Sequence, residues 1–222
     1  MAESDIPDAR VRLREVALDR FGRQGVRDTS TREILKAAGM RNPSAITYHF
    51  GSKAQLVEDL VGDLIRGEAP VMQLQVELAG RVPPPSVEEW VMVAVDSSAK
   101  LISTERGCLL ARLWWEYDGY LRPAVFEEFL AGGHPLADAW IESVDVMFPE
   151  LPKYVALARN VTMLRTLEWM IARRAGRMLT GSPSPALQVK QPEAFRQLMA
   201  EVAMGIVTAP TTLTEADITL AD

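Results

Sequence analysis

Apolar residues in this chain recur at intervals of three and four, the spacing that lines one face of an α-helix. Leu13, Val16, Ala17 and Phe21 form a first stripe, which predicts a helix over 8–22 with Gly22 or Gly25 as its stop. Ile34, Leu35 and Ala38, closed by Gly39, predict a very short helix over 31–38, and a second short one fits 44–50. Leu56, Leu60 and Leu64 carry a helix over 53–66. Arg81-Val82-Pro83-Pro84-Pro85-Ser86 then forms a stiff break. Ser86, with Glu89 three residues on, forms a capping box that opens a helix over 87–103. Further helical stretches fit 105–118, 122–131 and 134–147, after which Pro149 and Pro152 bracket a turn. The segment 153–180 is apolar on most sides, Gly181-Ser182-Pro183-Ser184-Pro185 reads as a loop, and a last helix fits 192–207. Phe195, Leu198, Met199, Val202 and Ile206 share one face of that helix, and 208–222 reads as a frayed tail. β signals are nearly absent, so the predicted fold class is all-α.

Composition narrows the picture. Hydrophobic residues make up 48% and charged residues 24% of the chain, which fits a globular fold and not a disordered or collagen-like one. No uncharged apolar run approaches the roughly 18 residues of a membrane span. The polar start, MAESDIPDARVR, does not fit a secretory signal. The single cysteine, Cys108, excludes an internal disulfide and fits a reducing, cytoplasmic compartment. Two histidines, His49 and His134, leave little for zinc or for histidine-based catalysis. No paired carboxylates, nucleophile motif or phosphate loop stands out, so neither catalysis nor a cofactor is expected. Glu116 and Asp118 fit solvent-facing charge. The net charge of −6 is unevenly spread. Residues 1–53 hold ten Lys and Arg against seven Asp and Glu, whereas the rest holds fourteen against twenty-three. A basic head on an acidic body fits a head that alone meets a polyanion.

The two short helices carry the sharpest signals. Ser30 and Glu33 form a capping box, Gly39 suits the left-handed end of the first helix, and Pro43 suits the first turn of the second. Ile46 and Phe50 lie four apart and face inward, which leaves Ser44, Thr47 and Tyr48 facing out. That is a helix-turn-helix pattern, whose second helix enters the DNA major groove. Hydroxyls at 44 and 47 suit base edges or phosphates, and Tyr48 and His49 can donate to phosphate oxygens. Gly51-Ser52-Lys53 opens the next helix, so its free N–H groups and the Lys53 ammonium suit a phosphate too, as do Thr29 and Arg32 at the first helix start.

Residues 10–61 resemble the DNA-binding domain of TetR-family transcriptional regulators. The likeness lies in Thr29-Ser30-Thr31-Arg32-Glu33-Ile34, in Ala37-Ala38-Gly39-Met40, and in Ile46-Thr47-Tyr48-His49-Phe50-Gly51-Ser52-Lys53-Ala54-Gln55-Leu56. The resemblance implies a three-helix head over 1–53, a connecting helix over 53–66, and a helical body over 54–222 that binds an inducer and forms the dimer. It also implies DNA contacts at Thr29, Arg32, Ser44, Ala45, Thr47, Tyr48, His49 and Lys53. The chain departs from the family pattern in a Met40–Ser44 turn one residue longer than usual and in Thr47, where an aromatic residue is common. Both bear on the base-reading register.

For the body, the resemblance implies a homodimer through helices at about 153–180 and 192–207, and hence a palindromic operator. Both segments carry more apolar surface than one core-facing stripe needs. Trp90, Trp114, Trp115, Trp140, Met163 and Trp169 form a set that could line an apolar ligand cavity or simply fill the core. Cys108 reads as a buried small residue, and Arg173, Arg174 and Arg177 as a solvated face or a favourable charge near the end of their helix. The expected function is therefore a ligand-responsive repressor that binds double-stranded DNA. The alternatives are an α-helical enzyme and a protein-interaction module without affinity for duplexes.

Overall fold

The computed structural model describes residues 9–63, 71–83, 85–117, 134–181, 189, 191–214 and 217. Among these, the regular elements are α-helices and no strand occurs, as the three-and-four spacing predicts. In chain order they are α1 (Ala9–Gln24), α2 (Thr31–Ala37), α3 (Ala45–Phe50), α4 (Lys53–Asp63), α5 (Val71–Ala79), α6 (Val87–Leu101), α7 (Glu105–Glu116), α8 (Pro135–Met147), α9 (Lys153–Thr180) and α10 (Pro192–Val207). The expected helix over 122–131 lies outside the described residues.

Two compact units emerge. The first comprises 1–68, 101–123 and 172–183, and so joins α1–α4 to α7 and the last turns of α9. The second comprises 69–100, 124–171 and 184–222.

In the first unit, α1 is the central strut. Leu13, Ala17, Leu18 and Phe21 are buried together with Ile34, Ile46, Leu56 and Leu60 of the other head helices. Helix α1 runs through Gly22 and ends at Gly25, whose φ of +98° breaks the helix. Gly22 is instead a packing position: a Cβ there would lie 2.9 Å from Leu109 Cα of α7. Arg106 pairs with Glu15 at 2.9 Å, and Arg112 donates to the Arg23 carbonyl at 3.3 Å, so α7 is fastened along α1. Arg23 also donates to the Leu179 carbonyl in the last turn of α9 at 2.9 Å and pairs with Glu105.

In the second unit, polar side chains are sealed into an apolar core. Trp140 Nε1 donates to Gln75 Oε1 at 2.8 Å, and Gln75 Nε2 donates to the Trp90 carbonyl at 3.2 Å. Trp90 Nε1 donates to Asn160 Oδ1 at 2.8 Å, and Asn160 Nδ2 donates to the Ala156 carbonyl at 2.9 Å. These bonds link α5, α6, α8 and α9, and each buried side-chain amide is used on both its oxygen and its nitrogen. Arg196 of α10 holds Asp96 of α6 through two bonds of 2.5 and 3.1 Å.

Candidate nucleic-acid interface

The local backbone chemistry of the head follows the sequence closely. Ser30 caps α2: its Oγ accepts from the Glu33 amide at 3.2 Å, and Glu33 Oε2 accepts from the Ser30 amide at 2.7 Å. The Ser30 hydroxyl also donates to Glu33 Oε2 at 2.7 Å, and this bond, with that from the Ser30 amide, holds the Glu33 carboxyl below the usual carboxylate range. At the other end, Gly39 adopts φ +67°. Its amide reaches the Lys36 carbonyl at 3.1 Å, and the Met40 amide reaches that of Leu35 at 2.9 Å. This double closure satisfies carbonyls the helix leaves open and turns the chain sharply. Asn42 then folds the turn, since its Oδ1 accepts from the Ser44 amide at 2.9 Å. Pro43 stands one residue before the N-cap Ser44, not in the first turn of α3 as the sequence suggested.

Helix α3 presents two faces. Ala45, Ile46 and Phe50 are buried. Ser44, Thr47 and Tyr48 are exposed, and Tyr48 shows 83% of its surface, the most of any aromatic described. His49 is half-buried, its ring edge-on to Tyr48 with centroids 4.9 Å apart. Arg32 is exposed on α2. These five side chains remain available to an outside partner.

Three other expected contacts are bonded or packed within the head. Thr29 has no exposed surface, because its hydroxyl donates to the Gly25 carbonyl at 2.8 Å inside the turn between α1 and α2. Ala45 is 6% exposed and packs inward with Ile46. Lys53 is half-buried: Nζ donates to the Val26 carbonyl at 2.5 Å and lies 5.9 Å from the Phe21 ring centroid. Burial pushes the Lys53 amine below its ordinary pKa, against the pull of Asp28, Glu116 and Glu33.

Arg10 is a residue the sequence reading missed. It donates to the His49 carbonyl at 3.2 Å and to Asp59 Oδ1 at 2.6 Å, with its guanidinium 4.8 Å from the Phe50 ring centroid. It thereby ties the end of α3 to α1 and α4, with Arg14 joining the same carboxylate. The available signal was Arg10 and Arg14 four apart on α1, on one side of the helix.

Residues 13–60 match the domain of the bacterial regulatory proteins, tetR family. A stretch of 113 residues is 32% identical to the HTH-type transcriptional regulator AcrR of Shigella flexneri, covering 50% of each chain. Residues 13–60 are thus a tetR-family domain. The chain's match spans about half the length of that curated relative. A solved TetR-like transcriptional regulator from Rhodococcus sp. RHA1 is 15% identical, over 94% of this chain and 100% of that one, with a TM-score of 0.54. That likeness concerns the fold alone. The matched tetR-type span runs from Leu13 in α1 to Leu60 in α4 and so contains the whole helix-turn-helix.

The expected ligand set is divided. Trp90, Trp140 and Met163 are fully buried in the second unit, with both indole N–H groups bonded to protein. They form core there, not a cavity wall. Trp169 is half-buried in the same unit, while Trp114 and Trp115 are half-buried in the first. None of the six lines the open groove of about 360 Å³ that the second unit does carry. That groove lies between α9 and the segment that ends α10, walled by Tyr154, Val155, Ala158, Thr162, Ile206 and Leu213. No helix among the described residues is long and apolar enough to cross a membrane.

Proposed function

We propose that this chain is a cytoplasmic DNA-binding transcriptional repressor that docks α3 in the major groove of a palindromic operator as a homodimer. The observation that carries this reading is the exposed polar edge of α3, held on a helix that is capped, folded back and tied down within a tetR-type domain. Ser44 and Thr47 take base edges, Tyr48 and His49 take phosphates, and Arg32 reaches the backbone from α2. Thr29, Ala45 and Lys53 support this edge from inside.

Pairing through α9 and α10 would supply the second head. Its support is the apolar groove and the exposed Tyr154 and Leu213 beside it. A small-molecule inducer would act by binding the DNA-incompetent arrangement more tightly. Of the expected ligand set, Trp114 and Trp115 are half-buried in the first unit, and Trp169, separately, in the second.

Selection from a random duplex pool, joined to sedimentation, tests both parts. Enrichment of a dyad-symmetric sequence by a species of twice the monomer mass is the expected result. A monomer that enriches nothing would refute the reading.

A further inference from the structure

Resting on that reading, we infer that Glu116 is a positioning residue for DNA reading, fixing the turn that leads from α1 into the helix-turn-helix. Residues 25–30 form that turn, and its polar backbone groups have specific partners. The Gly25 carbonyl accepts from Thr29 at 2.8 Å, and the Val26 carbonyl accepts from Lys53 at 2.5 Å. The Val26 amide donates to Glu116 Oε2 at 2.7 Å. Lys53 is the first residue of α4, which follows α3 after Gly51 and Ser52, and Glu116 is the last residue of α7. One residue, Val26, therefore joins the entrance of the helix-turn-helix, its exit and a helix from much later in the chain.

Two observations set Glu116 apart from a stray surface acid. A carboxylate in the last turn of a helix opposes the helix dipole, so its own helix does not explain it. The turn also makes room for it: a Cβ at Gly25 would lie 2.9 Å from Glu116 Oε1, and Gly25 already holds φ +98°. Helix α7 delivers the carboxylate from a fixed direction, because Arg106, Leu109 and Arg112 bind α1 along the same side. Release of this bond would free the turn while leaving the buried stripes of α1 and α4 in place.

The test compares Glu116→Gln, which keeps an acceptor oxygen, with Glu116→Ala and the length-matched Glu116→Met, which do not. Each full-length variant is measured for affinity to the duplex selected by the wild-type chain and for hydrogen exchange at the Val26 amide. Glu116→Ala and Glu116→Met are expected to weaken binding about tenfold and to speed Val26 exchange, while Glu116→Gln stays within about threefold with Val26 protected. A role in stability alone would lower Tm and leave affinity unchanged below the transition. Affinity unchanged in Ala and Met, or lost equally in Gln, would overturn the assignment. A wild-type chain that selects no duplex overturns the DNA-reading function and this assignment with it, and is told apart by Val26 exchange that still follows the pattern.

Discussion

The two units differ in what their polar side chains do. The second unit closes them inside: the Gln75 and Asn160 oxygens accept from two indole N–H groups and their nitrogens donate to backbone carbonyls, all among buried Trp, Met and Val side chains. The head directs its buried polar groups to backbone and leaves others exposed. Thr29 and Lys53 grip turn carbonyls, Ser30 and Glu33 cap a helix, and Ser44, Thr47 and Tyr48 face out. The contrast separates two sources of order. A six-residue helix such as α3 cannot hold itself and must be fixed by its neighbours. The core of the second unit is held by volume and by satisfied bonds.

Substitutions sharpen this contrast. In the second unit, Trp90→Ala removes a fully buried indole and leaves the Asn160 oxygen without its donor, so a loss of about 3–5 kcal/mol in denaturant unfolding is expected. An effect as small as that of a surface substitution would show that the network is not core. In the head, Gly22→Ala drives a methyl against Leu109 and its backbone, and should lower stability by roughly 1–3 kcal/mol through α1 and α7 alone. Ser30→Ala removes the α2 cap and should cost about 1 kcal/mol, read as a lower Tm.

Proton linkage gives the smallest effect. Because the folded state lowers the Glu33 pKa, its stabilisation is present above the ordinary value of 4.5 and is lost as pH falls through the lowered value. The Tm gap between wild type and Glu33→Gln should therefore be open at neutral pH and close in acid. A gap that widens in acid would reverse the sign of the linkage.

Much of this organisation was legible in residue order. Ser30–Glu33, Gly39 and Ser86–Glu89 are local devices whose partners lie within a few residues, and all three form as read. Helix α5 escaped because apolar and polar positions alternate from Met72 to Leu78, which masks its helical spacing, and because a glutamine, Gln75, is buried beside Leu78. Thr29, Lys53 and Glu116 escaped for a different reason. Their partners, at Gly25 and Val26, are backbone atoms, which leave no trace in side-chain pattern. Helix-start position and family likeness point Thr29 and Lys53 at DNA, and Glu116 reads as solvent-facing charge. Hydrogen bonds bring all three around one turn.

The central claim is that the outer edge of α3 reads DNA and does nothing else for the fold. The double variant Thr47→Ala/Tyr48→Ala, measured against the duplex selected by the wild-type chain, tests it most directly. The account predicts an unchanged Tm with affinity reduced at least about tenfold. Affinity equal to that of the wild type, or a loss matched by a fall in Tm, would contradict it.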